Sequence, residues 1–397
     1  MNGRAGARHK DRKMEVRKLI QKEKPEAGLI STVSFHGRID NMDERVARWE
    51  ADTTENWGAF DDDGTMMGHI VNNRFQCYFD GHVVECGGIG GVSALPEYRE
   101  SGAIRAIFAS LLPEARRNGE VLSTLFPFRH SFYRKFGYET TCYGTNYEIP
   151  TNALPRIRHD GWIKMWRPGD STAEYTALYA PFACRYNTAI FRDDARMASV
   201  HIKGDCYKDR YFCYLLGDSE GPSAYVAFQD SAPKLSVQDY AWNGRRGFTA
   251  LLNFLSRFSA DYSTVVLPAP SDIDLMSFMD NPYSITASPH RNFMARVINA
   301  EKALSLLKKP EGVSFTVKIN DEMIPENNAT WLVRGDEATQ TDAQPDITLS
   351  ERAFSILAIG AIGLQEAALR NDVEINGNEE TLRRVFVRKP IYIADHF

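Results

Sequence analysis

The pattern of apolar and polar positions predicts strands alternating with helices. Apolar residues at Ala103, Ile104, Ile107, Phe108, Leu111, Leu112 and Ala115 share one face at helical spacing. Arg116-Arg117 and then Gly119 supply a basic last turn and a stop. A strand over 92–95 and the turn Pro96-Glu97-Tyr98-Arg99 precede this helix, and a buried strand over 121–126 follows it. Strand, tight turn, helix and strand have the content of a parallel pair. Upstream, 15–20 reads as a short strand and 25–39 as a helix or a helix and turn, while Asp61-Asp62-Asp63-Gly64 forms a hairpin turn whose acids serve turn geometry. The run Gly87-Gly88-Ile89-Gly90-Gly91 leads into a strand instead of opening a helix, which excludes a dinucleotide-binding loop.

The same order returns about 145 residues later: a strand over 236–242, the turn Gly244-Arg245-Arg246-Gly247, an apolar-faced helix over 248–258 and a strand over 263–267. Gly247 then stands where Gly102 stands in the first copy. We infer a duplicated α/β domain with a boundary near 149–155. Further on, a strand over 295–299, a helix over 300–307, several strands and a nearly all-apolar helix over 351–370 predict a third, α+β domain. Such a helix needs cover, from protein or from a bound lipid. Residues 1–13 have no apolar period and read as a solvated leader. The expected layout is therefore 1–13, 14–150, 151–290 and 291–397.

Composition narrows the function classes. The 397 residues suit two or three domains, and 43% hydrophobic with 25% charged residues excludes a disordered chain. Lys and Arg number 47 against 52 acids, for a net charge of −5. With nine basic and four acidic residues in the first 26, the rest carries −10. That balance argues against a nucleic-acid partner and suits attraction of a small cation. No apolar run approaches the ~20 residues of a membrane span or forms a secretory h-region. The six cysteines, at 77, 86, 142, 184, 206 and 213, include no C-x-x-C pair, and the nine histidines form no ligand motif. Reduced thiols, a cytoplasmic location, no membrane and no metal are expected.

The segment Val92-Ser93-Ala94-Leu95-Pro96-Glu97-Tyr98-Arg99-Glu100-Ser101-Gly102-Ala103, followed by Phe132-Tyr133-Arg134-Lys135-Phe136-Gly137-Tyr138, resembles the acetyl-CoA site of the GNAT superfamily of N-acetyltransferases. The chain departs from the superfamily's R-x-x-G-x-G/A preference at the sixth place, where it has Ile104. Duplication, a sterol-carrier-like third domain and a final Phe397 make it similar to the Eis (enhanced intracellular survival) branch. The resemblance implies two tandem α/β GNAT-like domains followed by a sterol-carrier-protein-like α+β domain, with acetyl-CoA as co-substrate. A diphosphate needs several N–H donors and positive potential, which a Gly-containing turn at a helix N-terminus supplies. Arg99, Glu100, Ser101, Gly102, Ala103, Ile104 and Arg105 form that cradle. By resemblance, Val92, Ser93 and Ala94 pair with the pantetheine amides like an added strand, and Phe128 and Arg129 make a second contact.

Acetyl transfer to an amine requires removing a proton from the ammonium and supplying one to the leaving thiolate. By resemblance Tyr133 is the acid and the α-carboxylate of Phe397 the base. A carboxyl with a reference pKa of ~3.3–3.7 must be raised by burial or must act through water, and His396 is placed to assist. Trp49 is named for the acceptor pocket, and Tyr138 suits a core position. The second repeat puts Phe278 or Leu275 where Tyr133 stands, so one CoA site per chain is expected. The acceptor is a small amine, aminoglycoside or polycationic by resemblance, and a homo-oligomer, hexameric by resemblance, is expected. Two other readings are a transferase of longer acyl chains, as in the N-myristoyltransferase family, and a non-enzymatic lipid carrier or scaffold resting on the third domain.

Overall fold

The computed structural model describes residues 14–36, 54–155, 157, 160–198 and 210–395. Twelve strands among them join in one sheet. They are β1 (Glu15–Lys18), β2 (Thr54–Phe60), β3 (Met66–Phe79), β4 (His82–Ala94), β5 (Leu122–Leu125), β6 (Glu139–Pro150), β7 (Trp162–Met165), β8 (Tyr211–Asp218), β9 (Gly221–Ser231), β10 (Lys234–Trp242), β11 (Thr264–Ala269) and β12 (Thr286–Val297). Their spatial order is β1-β2-β3-β4-β5-β12-β6-β11-β10-β9-β8-β7. Each repeat thus lends its last strand to the other. β12 pairs antiparallel with β5, from Met294 opposite Leu125 to Val297 opposite Leu122. β6 pairs antiparallel with β11, from Pro150 opposite Thr264 to Thr145 opposite Ala269. The exchange corrects the expected boundary at 290, which cuts β12. The strand read over 295–299 as the start of the third domain is the end of β12.

The main helices are α1 (Lys24–Phe35), α2 (Ala103–Arg117), α3 (His130–Tyr133), α4 (Ala173–Ala183), α5 (Gly244–Ser256), α6 (Ala300–Leu306) and α7 (Glu351–Ile359). The apolar face of α2 packs on β2 and β3, burying Ile107, Phe108, Leu111 and Leu112. The third domain holds β13 (Ser314–Asn320), β14 (Ala329–Arg334), β15 (Glu337–Gln340), β16 (Ile347–Ser350) and β17 (Val373–Ile375) in the order β15-β14-β13-β16-β17. Against the expected single helix over 351–370, α7 ends at Gly360, whose φ of 86° reverses the chain, and a separate turn of helix spans Leu364–Ala367. Every residue of α7 from Ala353 to Ile359 is buried, and the helix packs on β12, β6 and β16. The cover it requires is protein.

Two buried polar knots tie the domains. At the β3–β4 hairpin, Asp80 and Gly81 both take positive φ, as a two-residue turn demands. Asp80 N donates to Asn187 Oδ1 at 2.6 Å, and Asn187 Nδ2 donates to Asp80 Oδ1 at 3.1 Å and to Ile359 O at 2.8 Å. Lys389 Nζ donates to Asp80 Oδ2 at 2.6 Å, so residues of all three domains meet at one turn. In the second knot the fully buried Arg192 faces Asp239 at 2.7 Å and Asp395 at 2.8 Å, under the Tyr179 ring at 3.8 Å.

A third buried group gives the fold a pH dependence. Glu120 is 1% exposed and accepts from Asn72 Nδ2 at 2.9 Å. Burial raises its carboxyl from 4.5 to about 7. The folded chain therefore binds a proton that the unfolded chain has released, and the stability Glu120 confers when protonated is lost as pH rises from about 4.5 through 7. Glu120→Gln keeps the size and the amide contact. It should exceed the parent in stability by about 3 kcal/mol above pH 7, with the advantage gone by about pH 4.5. Denaturant unfolding of both proteins at pH 5 and pH 8 checks this; an equal difference at the two pH values would contradict it.

Candidate active site

The site begins where two parallel strands part. β4 pairs with β5 from Cys86 opposite Leu122 to Ile89 opposite Leu125, where β5 ends. Residues 90–94 of β4 therefore have no strand on that side among the described residues. On the other side Gly91 and Val92 lie opposite the single residue Ile70 of β3, a β-bulge in which Gly91 takes a φ of 59°. The bulge bends the strand away from β5 and leaves a backbone edge open. Val92, Ser93 and Ala94 stand on that edge, where an extended amide-bearing chain can pair.

The connection from β4 to α2 turns back over this edge. Glu100 and Gly102 both have positive φ, 66° and 92°. Within the turn Ser101 N donates to Tyr98 O at 3.2 Å and Ala103 N to Ser101 Oγ at 3.3 Å, so the loop is held by its own hydrogen bonds in front of the positive end of α2. Gly102 caps α2, and a Cβ built on it meets nothing within 4 Å, so glycine is required by φ rather than by crowding from the protein. Arg99, Glu100 and Arg105 are exposed around the turn. Ile104 does not fill the cradle: its Cδ1 lies 3.1 Å from where a Cβ on Gly68 would stand, so its side chain turns down onto β3. Asp61, expected to serve only its hairpin, also accepts from Tyr98 Oη at 3.2 Å and braces the loop.

The chain leaving β5 forms the opposite wall. Phe128 is 64% exposed and Arg129 precedes α3, whose last residue, Tyr133, is buried. The Tyr133 ring packs edge-on against Phe128 at 5.3 Å and Phe132 at 5.2 Å. Burial pushes its phenol above the ordinary 10, so it holds its proton at neutral pH. Tyr138 is a core residue whose hydroxyl lies 2.7 Å from Ser123 Oγ. His69, opposite Ser93, is fully buried against Asn56 at 3.0 Å, and burial lowers it to about 4. It is therefore neutral at pH 7. Trp49, His396 and Phe397 lie outside the described residues. The structure thus brings the cofactor-edge, cradle, Phe128, Arg129 and Tyr133 positions to one end of the β4/β5 pair.

The second repeat parts in the same way and is built differently. β10 and β11 pair in parallel only over three residues, and a bulge follows between Val237 and Asp239. There Tyr240 Oη donates to Pro268 O at 2.6 Å, and the Tyr392 ring packs on Tyr240 at 5.9 Å. The expected equivalence of Gly247 with Gly102 fails. Only Asn243 separates β10 from α5, whose first residue, Gly244, takes a φ of 58°, and Gly247 lies inside the first turn, where a Cβ would overlap Ser223 O. That glycine serves close packing of α5 on β9. Leu275 and Phe278 occupy the short helix after β11 and carry no phenol. Among the described residues no group of three or more His, Cys, Asp or Glu could hold a metal, and no helix is long and apolar enough to cross a membrane.

Comparison with known proteins agrees with this anatomy. Residues 15–141 match an acetyltransferase (GNAT) domain, residues 189–297 match a second acetyltransferase (GNAT) domain, and residues 300–394 match a sterol carrier protein domain. No curated protein matches the sequence. Similar solved structures include a conserved protein of unknown function from Enterococcus faecalis (22% identity, TM-score 0.86) and a GCN5-related N-acetyltransferase from Anabaena variabilis (19%, 0.85). Eis1 from Mycobacterium abscessus is a third (19%, 0.81). In each pair 97% of this chain and all of the other are covered. At these identities the likeness establishes a shared three-domain fold, and the domain matches give its chemical class. The chain is an acetyltransferase of the GNAT class, built from two tandem GNAT domains and a sterol-carrier-protein-like domain.

Proposed function

We propose that the first domain is an acetyl-CoA-dependent N-acetyltransferase of the Eis type acting on a small amine, and that it carries the chain's one cofactor site. The observation that carries this is the convergence, at the parting ends of β4 and β5, of an open bulged edge, a tight turn with two positive φ angles at the N-terminus of α2 and a protonated phenol. Val92 to Ala94 would hold the pantetheine, the turn from Arg99 to Arg105 the diphosphate, and Phe128 and Arg129 the far wall. Tyr133 would protonate the departing sulfur. A phenol raised by burial is a reluctant anion, so it re-protonates readily between turnovers.

The base in this proposal is the α-carboxylate of Phe397, two residues beyond the anchored Asp395, with His396 beside it. Trp49 is assigned to the acceptor side. An amine already drawn by a net-acidic body, aminoglycoside or polycation, fits the charge. Cytoplasmic residence and a hexamer belong to the same proposal; light scattering of the purified protein tests the latter. A lipid-carrier role draws no support from α7, whose apolar surface is covered by protein.

Tyr133→Phe should lower kcat by ~10²–10⁴-fold with acetyl-CoA affinity within ~2-fold of the parent. Thiol release with an accepted amine and calorimetry check the two halves, and an unchanged kcat would remove Tyr133 from the chemistry. Adding one Gly after Phe397 should keep acetyl-CoA binding and lose at least ~10²-fold in rate, because a base displaced by one residue no longer reaches the amine. Full activity in the extended protein would require a different base.

A further inference from the structure

The turn that carries Tyr133 is held from outside its own domain as well as from within it. α3 runs into a 3-10 turn over Arg134–Phe136 and then Gly137, which takes a φ of 82°. The carbonyl of Phe136 accepts from Nη1 of Arg296, a fully buried residue on β12, which is the exchanged strand of the second domain. The guanidinium lies so close over Gly137 that a Cβ there would overlap Nη1 and stand 2.7 Å from Glu351 Cγ. Glycine at 137 is thus required twice, by φ and by the seat of Arg296.

Arg296 is itself fixed from the third domain. Its Nη2 donates to Asp321 Oδ1. Asp321 is immobilised in turn, accepting from Met323 N at 2.9 Å, Ile324 N at 3.0 Å and Asn327 Nδ2 at 2.9 Å. The same loop sends Met323 and Ile324 into the cluster of buried side chains that contains Tyr133, Phe136 and Tyr138. A parallel strap runs on the outside, where Arg134 pairs with Glu139 at 2.8 Å and Glu139 with Arg370 at 3.4 Å. A single planar fork therefore spans from the turn of the first domain to a rigid loop of the third, through a strand of the second. A guanidinium can do this because its donors are set at fixed angles, which an ammonium on a flexible stem cannot reproduce.

We infer that Arg296, backed by Asp321, is the positioning residue for the Tyr133 hydroxyl, so that the third domain contributes to catalysis by fixing the acid of the first. This rests on the assignment of Tyr133 as the acid. Burial of this pair alone would be weak evidence of a stabilising role, since two desolvated charges recover only part of their lost hydration. Its placement on the carbonyl three residues after Tyr133 is what gives it a task in the reaction.

Arg296→Lys keeps a cation for Asp321 and removes the fork. It should lower kcat by ~10-fold or more while the KM for acetyl-CoA stays within ~2-fold, because a displacement of ~1 Å at a reacting group has effects of that size or larger. In a Tyr133→Phe background the same change should cost less than ~2-fold further, since there is no acid left to misplace. Gly137→Ala, whose Cβ would overlap Nη1 and so separates the turn from the guanidinium, should repeat the pattern and serves if Arg296→Lys fails to fold. Unchanged kcat in a folded variant, or an equal loss in the Tyr133→Phe background, would overturn the inference. Failure of the underlying assignment has a different signature: Tyr133→Phe alone would then keep the parental kcat.

Discussion

Everything at the site depends on two parallel strands that stop pairing halfway. A backbone edge left open in the middle of a sheet must find partners for its N–H and C=O groups. In the first domain the parallel pairing ends at Ile89 and Leu125, the Gly91 bulge follows, and residues 92–94 have no strand on that side among the described residues. In the second domain the same divergence is bridged by Tyr240 and packed by Tyr392. The two repeats share the parting of their central strands, and they differ in what fills it: among the described residues, aromatic side chains pack into the second, while residues 92–94 of the first keep no strand beside them.

Strand exchange makes the halves inseparable. β12 supports β5, and β6 supports β11, so neither repeat completes its sheet without the other. The third domain is then pinned at Asp80, where Asn187, Lys389 and Ile359 meet, and its last described residue is held by Arg192. Burying a guanidinium with two carboxylates costs solvation that hydrophobic contacts would not, and what it secures is direction: the segment over 391–395 runs along a defined path between the first two domains. The exchange also carries Arg296 under the Tyr133 turn.

Local features were legible in the sequence. The apolar face of α2, the turn before it and the phenol after β5 all lie within about 45 residues and obey helical spacing, turn chemistry and motif order. Long-range pairing was not legible. Nothing near Arg296 signals Phe136, 160 residues away, and period-2 patterning gives no hint that β6 and β12 change places, because a buried strand reads alike beside any partner. The Gly247 equivalence failed because spacing to the next strand was matched while the residue's task was not: one glycine caps a helix at positive φ and the other admits a carbonyl. The long helix over 351–370 was overextended because apolar residues continue past Gly360, whose backbone breaks the helix beneath the Lys389 stem.

Calorimetric titration with acetyl-CoA tests most directly whether one cleft of the duplicated fold takes the cofactor. One molecule should bind per chain, and Gly102→Val, which a φ of 92° does not accommodate, should weaken it by more than tenfold, or ~1.4 kcal/mol. Two molecules per chain, or one that binds Gly102→Val as tightly as the parent, would contradict it.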